Sequence, residues 1–171
     1  MSTAMNFKTG PIHDVIWKPL AFYHDQRGWL TELYRHDDVP VEFRPVMAYV
    51  SMTNAGVARG PHEHVEQADY FCFIGPGLFR VYLWDARRDS PTFGYRDVKE
   101  VGEGTPFALI VPPGVVHAYK NVSATAGIVF NAASTLYAGE GKTGWRGPKG
   151  TPDYIDEIRH EQIETSPYQL D

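Results

Sequence analysis

Gly56-Val57-Ala58-Arg59-Gly60-Pro61-His62-Glu63-His64 is the stretch on which the reading of this chain turns. His62 and His64 are two residues apart, and on a β-strand residues i and i+2 share a face. Two imidazoles therefore point the same way, and the glycines ahead of them let the backbone bend. Outward from this stretch, short apolar runs rich in β-branched and aromatic residues alternate with turn formers. The 16 glycines and 13 prolines fall between those runs, as in a turn-rich β fold. Strands are predicted at 15–18, 20–24, 30–35, 44–51, 58–64, 69–75, 78–85, 95–101, 106–111, 116–121 and 127–133. Gly75-Pro76-Gly77 is expected to be a tight corner joining two paired strands. Phe71, Phe73 and Phe79 beside it suit a buried barrel wall.

Helical pattern is sparse. The best stretch is 153–162, where Asp153 can cap and Ile155, Ile158 and Ile163 sit near helical spacing. About ten short strands and one late helix predict an all-β sandwich or barrel. Residues 138–152 are rich in Gly and Lys and are expected to form a long loop at the barrel mouth. Residues 1–11 and 165–171 are expected to be loose tails of a single domain spanning 1–171.

The length, 171 residues, suits one domain and buries a core without staples. The formal charge of −5 argues against a nucleic-acid partner, which needs a basic face. It leaves room for a small phosphorylated ligand, for which a few local Arg or Lys side chains suffice. Aromatics at 13% favour strands and a pocket able to stack a flat ligand. The single cysteine, Cys72, allows no internal disulfide and fits a reducing compartment. The first nine residues are polar, and no apolar run approaches the roughly 18 residues of a membrane helix. A cytoplasmic protein without a membrane partner is expected.

A second informative segment is Pro112-Pro113-Gly114-Val115-Val116-His117. A Pro-Gly turn feeding a strand places His117 near the start of that strand, and strands distant in sequence can face one cavity of a barrel. His62, His64 and His117 can then bind a divalent metal, with Asp69, Glu66 or Gln67 as a fourth ligand. The plainer alternative is a set of polar residues at a barrel rim, with His117 a core histidine bonded to backbone.

Gly56, His62, His64, Asp69 and the 112–117 segment fit the two cupin motifs. Four segments resemble the dTDP-4-dehydrorhamnose 3,5-epimerase family. They are Asp25-Gln26-Arg27-Gly28-Trp29-Leu30-Thr31-Glu32, the Gly56-to-His62 stretch, Asp85-Ala86-Arg87-Arg88-Asp89-Ser90-Pro91-Thr92-Phe93-Gly94, and the 112–117 segment. Their order and spacing make the match specific over about residues 12–146. The resemblance implies a cupin double-stranded β-helix, or jelly-roll barrel, here with the short C-terminal helix. It implies epimerisation of a dTDP-4-keto-6-deoxyhexose, or a related nucleotide sugar, at C3 and/or C5 in deoxysugar or polysaccharide biosynthesis. His62 falls on the catalytic base and Tyr137 on the acid. Arg27, Glu32, Arg59 and His117 fall on substrate-binding positions. No cofactor is expected, and a homodimer is, with Arg27 and Glu32 contributed across its interface.

The pocket departs from the family. A lysine that steadies the enolate oxygen falls here on Asp69 or Tyr70, and the position after Glu63 is His64. The aspartate that orients the base has only Asp153 and Asp156 as candidates. Two alternatives follow: a metal-dependent cupin isomerase or dioxygenase using His62, His64, Asp69 and His117, and a non-catalytic sugar-nucleotide-binding barrel.

Overall fold

The computed structural model describes residues 6–137, 139–142, 157–160, 162 and 166–171. These form β1 (Lys8–Thr9), β2 (Ile16–Pro19), β3 (Tyr23–Asp25), β4 (Gly28–Leu30), β5 (Met47–Thr53), β6 (Ala58–His64), β7 (Asp69–Phe73), β8 (Leu78–Asp85), β9 (Tyr95–Gly102), β10 (Phe107–Val111), β11 (Val115–Asn121), β12 (Gly127–Ala133) and β13 (Glu157–Arg159). One sheet runs β1-β9-β8-β11-β6-β13 and the other β2-β10-β7-β12-β5, while β3 and β4 form a separate hairpin. Every pairing is antiparallel except β1 with β9. This is the expected jelly-roll barrel. Among the described residues no helix is long and apolar enough to cross a membrane.

Strand alternation divides the apolar residues into three layers. Phe71, Phe73, Leu109 and Val129 of one sheet meet Phe79, Val81, Val115 and Tyr119 of the other between the sheets. Each such side chain, fully buried, contributes roughly 1.5–3 kcal/mol. The outer face of the five-stranded sheet, with Tyr70, Cys72, Ala108 and Ile110, is covered by Leu33, Tyr34, Val39 and Phe43. The outer face of the six-stranded sheet, with Tyr82, Trp84 and Val116, is covered by Phe7, Tyr168 and Leu170. Strands covered on both faces read as nearly continuous apolar runs, as β8 and β11 do.

Four expectations are corrected. Residues 31–35 are not strand. The Leu33 carbonyl is taken by the Tyr70 hydroxyl at 2.7 Å, so the segment lies over the sheet rather than in it. Gly75-Pro76-Gly77 is a corner, with φ of 92° and 96° at its glycines, but it joins strands of different sheets: β7 pairs with β10 and β12, β8 with β9 and β11. The helix expected at 153–162 is replaced at Glu157–Arg159 by β13, which pairs with the free edge of β6; residues 153–156 lie outside the described residues. Ladder bonds to β6 outweigh the helical spacing of the isoleucines.

The tails are not loose where they are described. Residues 8–9 pair with β9. Tyr168 is buried against Trp84, and the Tyr82 hydroxyl donates to the main-chain oxygen of Asp171.

Candidate active site

The polar end of the barrel interior is built from both sheets. His62 and His64 leave β6 on one face, and His117 on β11 stands in register with His62. The His62 and His117 ring centroids lie 4.4 Å apart, those of His62 and His64 5.4 Å. The amide of Gly114 donates to the His64 carbonyl at 2.8 Å, which ties the Pro-Gly turn to β6. Asp69, first residue of β7, enters from the opposite sheet. Its carboxylate Oδ2 lies 3.2 Å from both His64 Nε2 and His117 Nε2. Asp69 and His117 are 2% and 3% exposed, so this carboxylate is out of water.

Asp69 is held from behind. Gln67 Nε2 donates to Asp69 Oδ1 at 3.0 Å, and the Thr135 hydroxyl donates to Gln67 Oε1 at 2.7 Å. The chain turns Oδ2 toward the histidines. Burial alone would push the Asp69 carboxyl up; the His117 and His64 rings outweigh this and hold it well below the usual carboxylate range. For His62, burial and then the His117 and His64 rings lower the pKa from 6.5 to about 2. Its imidazole is therefore neutral near pH 7.

A bulge brings Arg59 to the same end. β11 advances two residues between His117 and Tyr119, while the partner residues on β6 are His62 and Arg59, three apart. In a regular strand residues three apart face opposite ways; the extra residue at Gly60-Pro61 puts both beside the inward pair His117 and Tyr119. Gly60 has φ of 84°, and a Cβ there would lie 2.5 Å from the His117 carbonyl oxygen. Arg59 Nε donates to Thr53 Oγ1, and its terminal nitrogen donates to the Met52 carbonyl, each at 2.9 Å. The Tyr119 and Ser51 hydroxyls lie 3.3 Å apart beside it.

Three candidates stand elsewhere. Tyr137 is 52% exposed, four residues beyond β12; its segment is fastened near the cluster by the Ser134 hydroxyl, which accepts from the Ala68 amide at 2.8 Å. Arg27 and Glu32 are exposed on and just beyond the β3–β4 hairpin, paired with Asp25 and Arg35 respectively. Within one protomer they do not join the histidine cluster. Glu66 is exposed and outside the cluster, and Gln67 braces Asp69. Asp153 and Asp156 lie outside the described residues.

Residues 9–149 match the family model described as dTDP-4-dehydrorhamnose 3,5-epimerase. The chain belongs to the dTDP-4-dehydrorhamnose 3,5-epimerase family. It is an enzyme of that type. A relative described as a probable low-salt glycan biosynthesis epimerase, from Haloferax volcanii, is 37% identical over 127 residues, 74% of this chain and 81% of the relative. The spore coat polysaccharide biosynthesis protein SpsL of Bacillus subtilis is 36% identical over 108 residues, 63% of this chain and 70% of its own. A dTDP sugar isomerase from Desulfovibrio desulfuricans shares the fold, with a TM-score of 0.75 at 18% identity over 94% of this chain and 91% of that one.

Relative to the four family segments, sequence reasoning missed Tyr119, Ser51, Asn131 and Thr135. Tyr119 was within reach of strand alternation, two residues beyond His117. Asn131, which donates to the Tyr49 hydroxyl at 2.8 Å, and Thr135 sit on strands or loops distant in sequence, where no local signal marks them.

Proposed function

We propose that this epimerase-family chain acts on a dTDP-4-keto-6-deoxyhexose, or a related nucleoside-diphosphate 4-keto sugar, inverting C3, C5 or both. The observation that carries the reading is a neutral, part-buried His62 at the polar end of the barrel, with Arg59 three residues before it on β6 and in register with Tyr119. A C–H next to a ketone is weakly acidic, and a neutral imidazole close to it is the base such a bond requires. His62 takes the proton, the C–H pair moves into the ring, and negative charge gathers on the C4 oxygen. The Tyr137 hydroxyl returns a proton on the opposite ring face, and solvent restores both groups. No electrons leave the sugar. Arg59 grips the diphosphate, for which its planar fork suits two oxygens at once, and His117 lines the sugar site.

The reading includes a homodimer. The hairpin carrying Arg27 extends from the barrel with Tyr23, Trp29 and Leu30 exposed, and Glu32 follows it. Crossing to a partner would bring both polar residues to the partner's site. A cytoplasmic setting fits the nucleotide substrate and the single buried cysteine.

The test is solvent deuterium uptake into dTDP-4-keto-6-deoxyglucose, followed by NMR. Wild-type protein is expected to label C3, C5 or both. His62→Ala should slow labelling by about 10²–10⁴-fold. Tyr137→Phe should keep labelling while losing the inverted product. Absence of label at both carbons with wild-type protein overturns the reading for this substrate.

A further inference from the structure

We propose that Arg159, on the C-terminal strand β13, is the cation that meets the negative charge forming on the C4 oxygen of the sugar. This rests on the epimerase reading, in which His62 removes a proton beside the ketone. The register of two strands places the side chain. β13 lies along the edge of β6, with Arg159 opposite His62 and Ile158 opposite Glu63. Directly opposite residues of an antiparallel pair share a face, with Cβ atoms about 4.5–5.5 Å apart. The next residue shows which face it is. His160 Nε2 stands 3.6 Å from Glu63 Oε1, and its ring packs on Tyr168, 4.5 Å between centroids, in the outer layer. Arg159, one residue earlier, therefore projects to the inner side with His62. The His160 amide donates to the Pro61 carbonyl at 3.0 Å, which pins β13 to the bulge of β6. Electrostatics agree with the placement. Burial, then the His117 and His64 rings, lower the His62 pKa, and the charge of Arg159 adds to the lowering.

The shape of a pyranose separates the two arginines near this base. The diphosphate sits on C1 and the ketone is C4, at opposite corners of the six-membered ring. His62 takes its proton from C3 or C5, each bonded to C4, so the C4 oxygen is two bonds from the reacting carbon. A cation level with the base meets that oxygen, and one set farther along the strand meets the diphosphate. Arg159 is level with His62. Arg59 stands three residues before it and is drawn toward β5 by its bonds to Thr53 and Met52.

Positive charge is needed at that point. The buried Asp69 turns Oδ2 to 3.2 Å from the His64 and His117 rings, and a carboxylate there opposes a growing enolate. A guanidinium, charged at any working pH, offsets it and at the same time favours the neutral form of the neighbouring imidazole, the form a base must have. Arg159 is exposed, open to an entering substrate, and lies beyond all four segments that carry the family resemblance.

The experiment compares deuterium labelling of dTDP-4-keto-6-deoxyglucose with calorimetric binding of dTDP, which has the diphosphate and no sugar, in full-length protein. Arg159→Gln should lower kcat for labelling about 10²–10³-fold, the usual loss for one group aimed at transition-state charge. Its dTDP affinity should stay within about threefold of wild type, since the lost contact forms only at the sugar. Arg159→Lys, which keeps a charge without the planar fork, should regain at least about tenfold. Ile158→Thr, altered on the opposite face of the same strand, should label like wild type. Labelling by Arg159→Gln within about threefold of wild type overturns the assignment. So does a loss of dTDP affinity as deep as the loss of labelling, which would move Arg159 to the diphosphate. An equal loss in Ile158→Thr overturns it too, by making the strand and not its charge responsible. These three results leave the epimerase reading in place. Wild-type protein that binds dTDP but labels neither carbon removes that reading on this substrate, and the role of Arg159 with it.

Discussion

At Asp85, burial and hydrogen bonding pull in opposite directions. The side chain is fully enclosed, which raises the cost of its charge. Against this, Arg87 donates through its amide at 3.1 Å and through Nε at 2.9 Å to Oδ1, and through a terminal nitrogen at 2.9 Å to Oδ2. The Ser90 and Thr92 hydroxyls donate to Oδ2 at 2.5 and 2.6 Å. Burial pushes the pKa up, but Arg87, Ser90 and Thr92 outweigh it and bring it from 3.8 to about 2. A carboxyl lowered on folding stabilises fully above its unfolded pKa and stops doing so as pH falls through the folded one. This contribution is therefore present above about pH 4 and fades toward pH 2. Asp85→Ala should cost about 2–4 kcal/mol at pH 7, leaving Arg87 without its carboxylate in a partly buried place. Urea midpoints measured from pH 7 to pH 2 should converge for wild type and variant at the acid end; a gap that stays constant would show that charge is not the cause. The Asp-x-Arg-x-x-Ser-Pro-Thr motif, legible from the sequence, thus fastens the β8–β9 connection, and its Arg87 is spent on structure.

At the scale of elements, the β6 bulge decides what the site contains. Gly60→Ala would force its Cβ against the His117 carbonyl at a left-handed φ. The expected cost is about 2–3 kcal/mol, with His62 displaced from His117. Thermal unfolding should show the loss, and labelling should fall further than a stability change alone predicts. The tail is a second such element. Tyr168 packs on Trp84 at 5.6 Å between ring centroids and on Phe7 at 5.8 Å. Tyr168→Ala should cost about 2–4 kcal/mol by uncovering the outer face of the six-stranded sheet; a melting temperature unchanged from wild type would show the tail to be a passive covering. Strands were legible where alternation and flanking turn formers agreed: 58–64, 78–85 and 127–133 coincide with β6, β8 and β12. β13 was not, because its pattern matches a helix and only the open edge of β6 makes it a strand. The pairing of His62 with His117 was legible as motif; the bulge that adds Arg59 was not, since it exists only in the register of two strands 50 residues apart.

For the whole molecule, the question is which surfaces a single copy leaves unsatisfied. β5 is the outer strand of its sheet, and its Val50 and Met52 are 63% and 64% exposed. An apolar outer strand is a template for pairing, and it stands on the same molecule as the exposed β3–β4 hairpin. A two-fold pair in which each hairpin crosses to the other copy satisfies both surfaces with one kind of contact. On the proposed homodimer, wild type should sediment as a dimer and Val50→Glu with Met52→Glu as monomers; a wild-type monomer would overturn the pairing. Subunit mixing tests the chemistry of that arrangement. If Arg27 serves the partner's site, neither His62→Ala nor Arg27→Ala dimers work well, but their heterodimer has one site with both native residues. Mixing equal amounts should restore about a quarter of wild-type labelling, since about half the dimers are mixed and half their sites are whole. If His62 and Arg27 act within one chain, every site in the mixture keeps a defect and mixing restores nothing. Failure to rise above the average of the two parents would count decisively against a shared site.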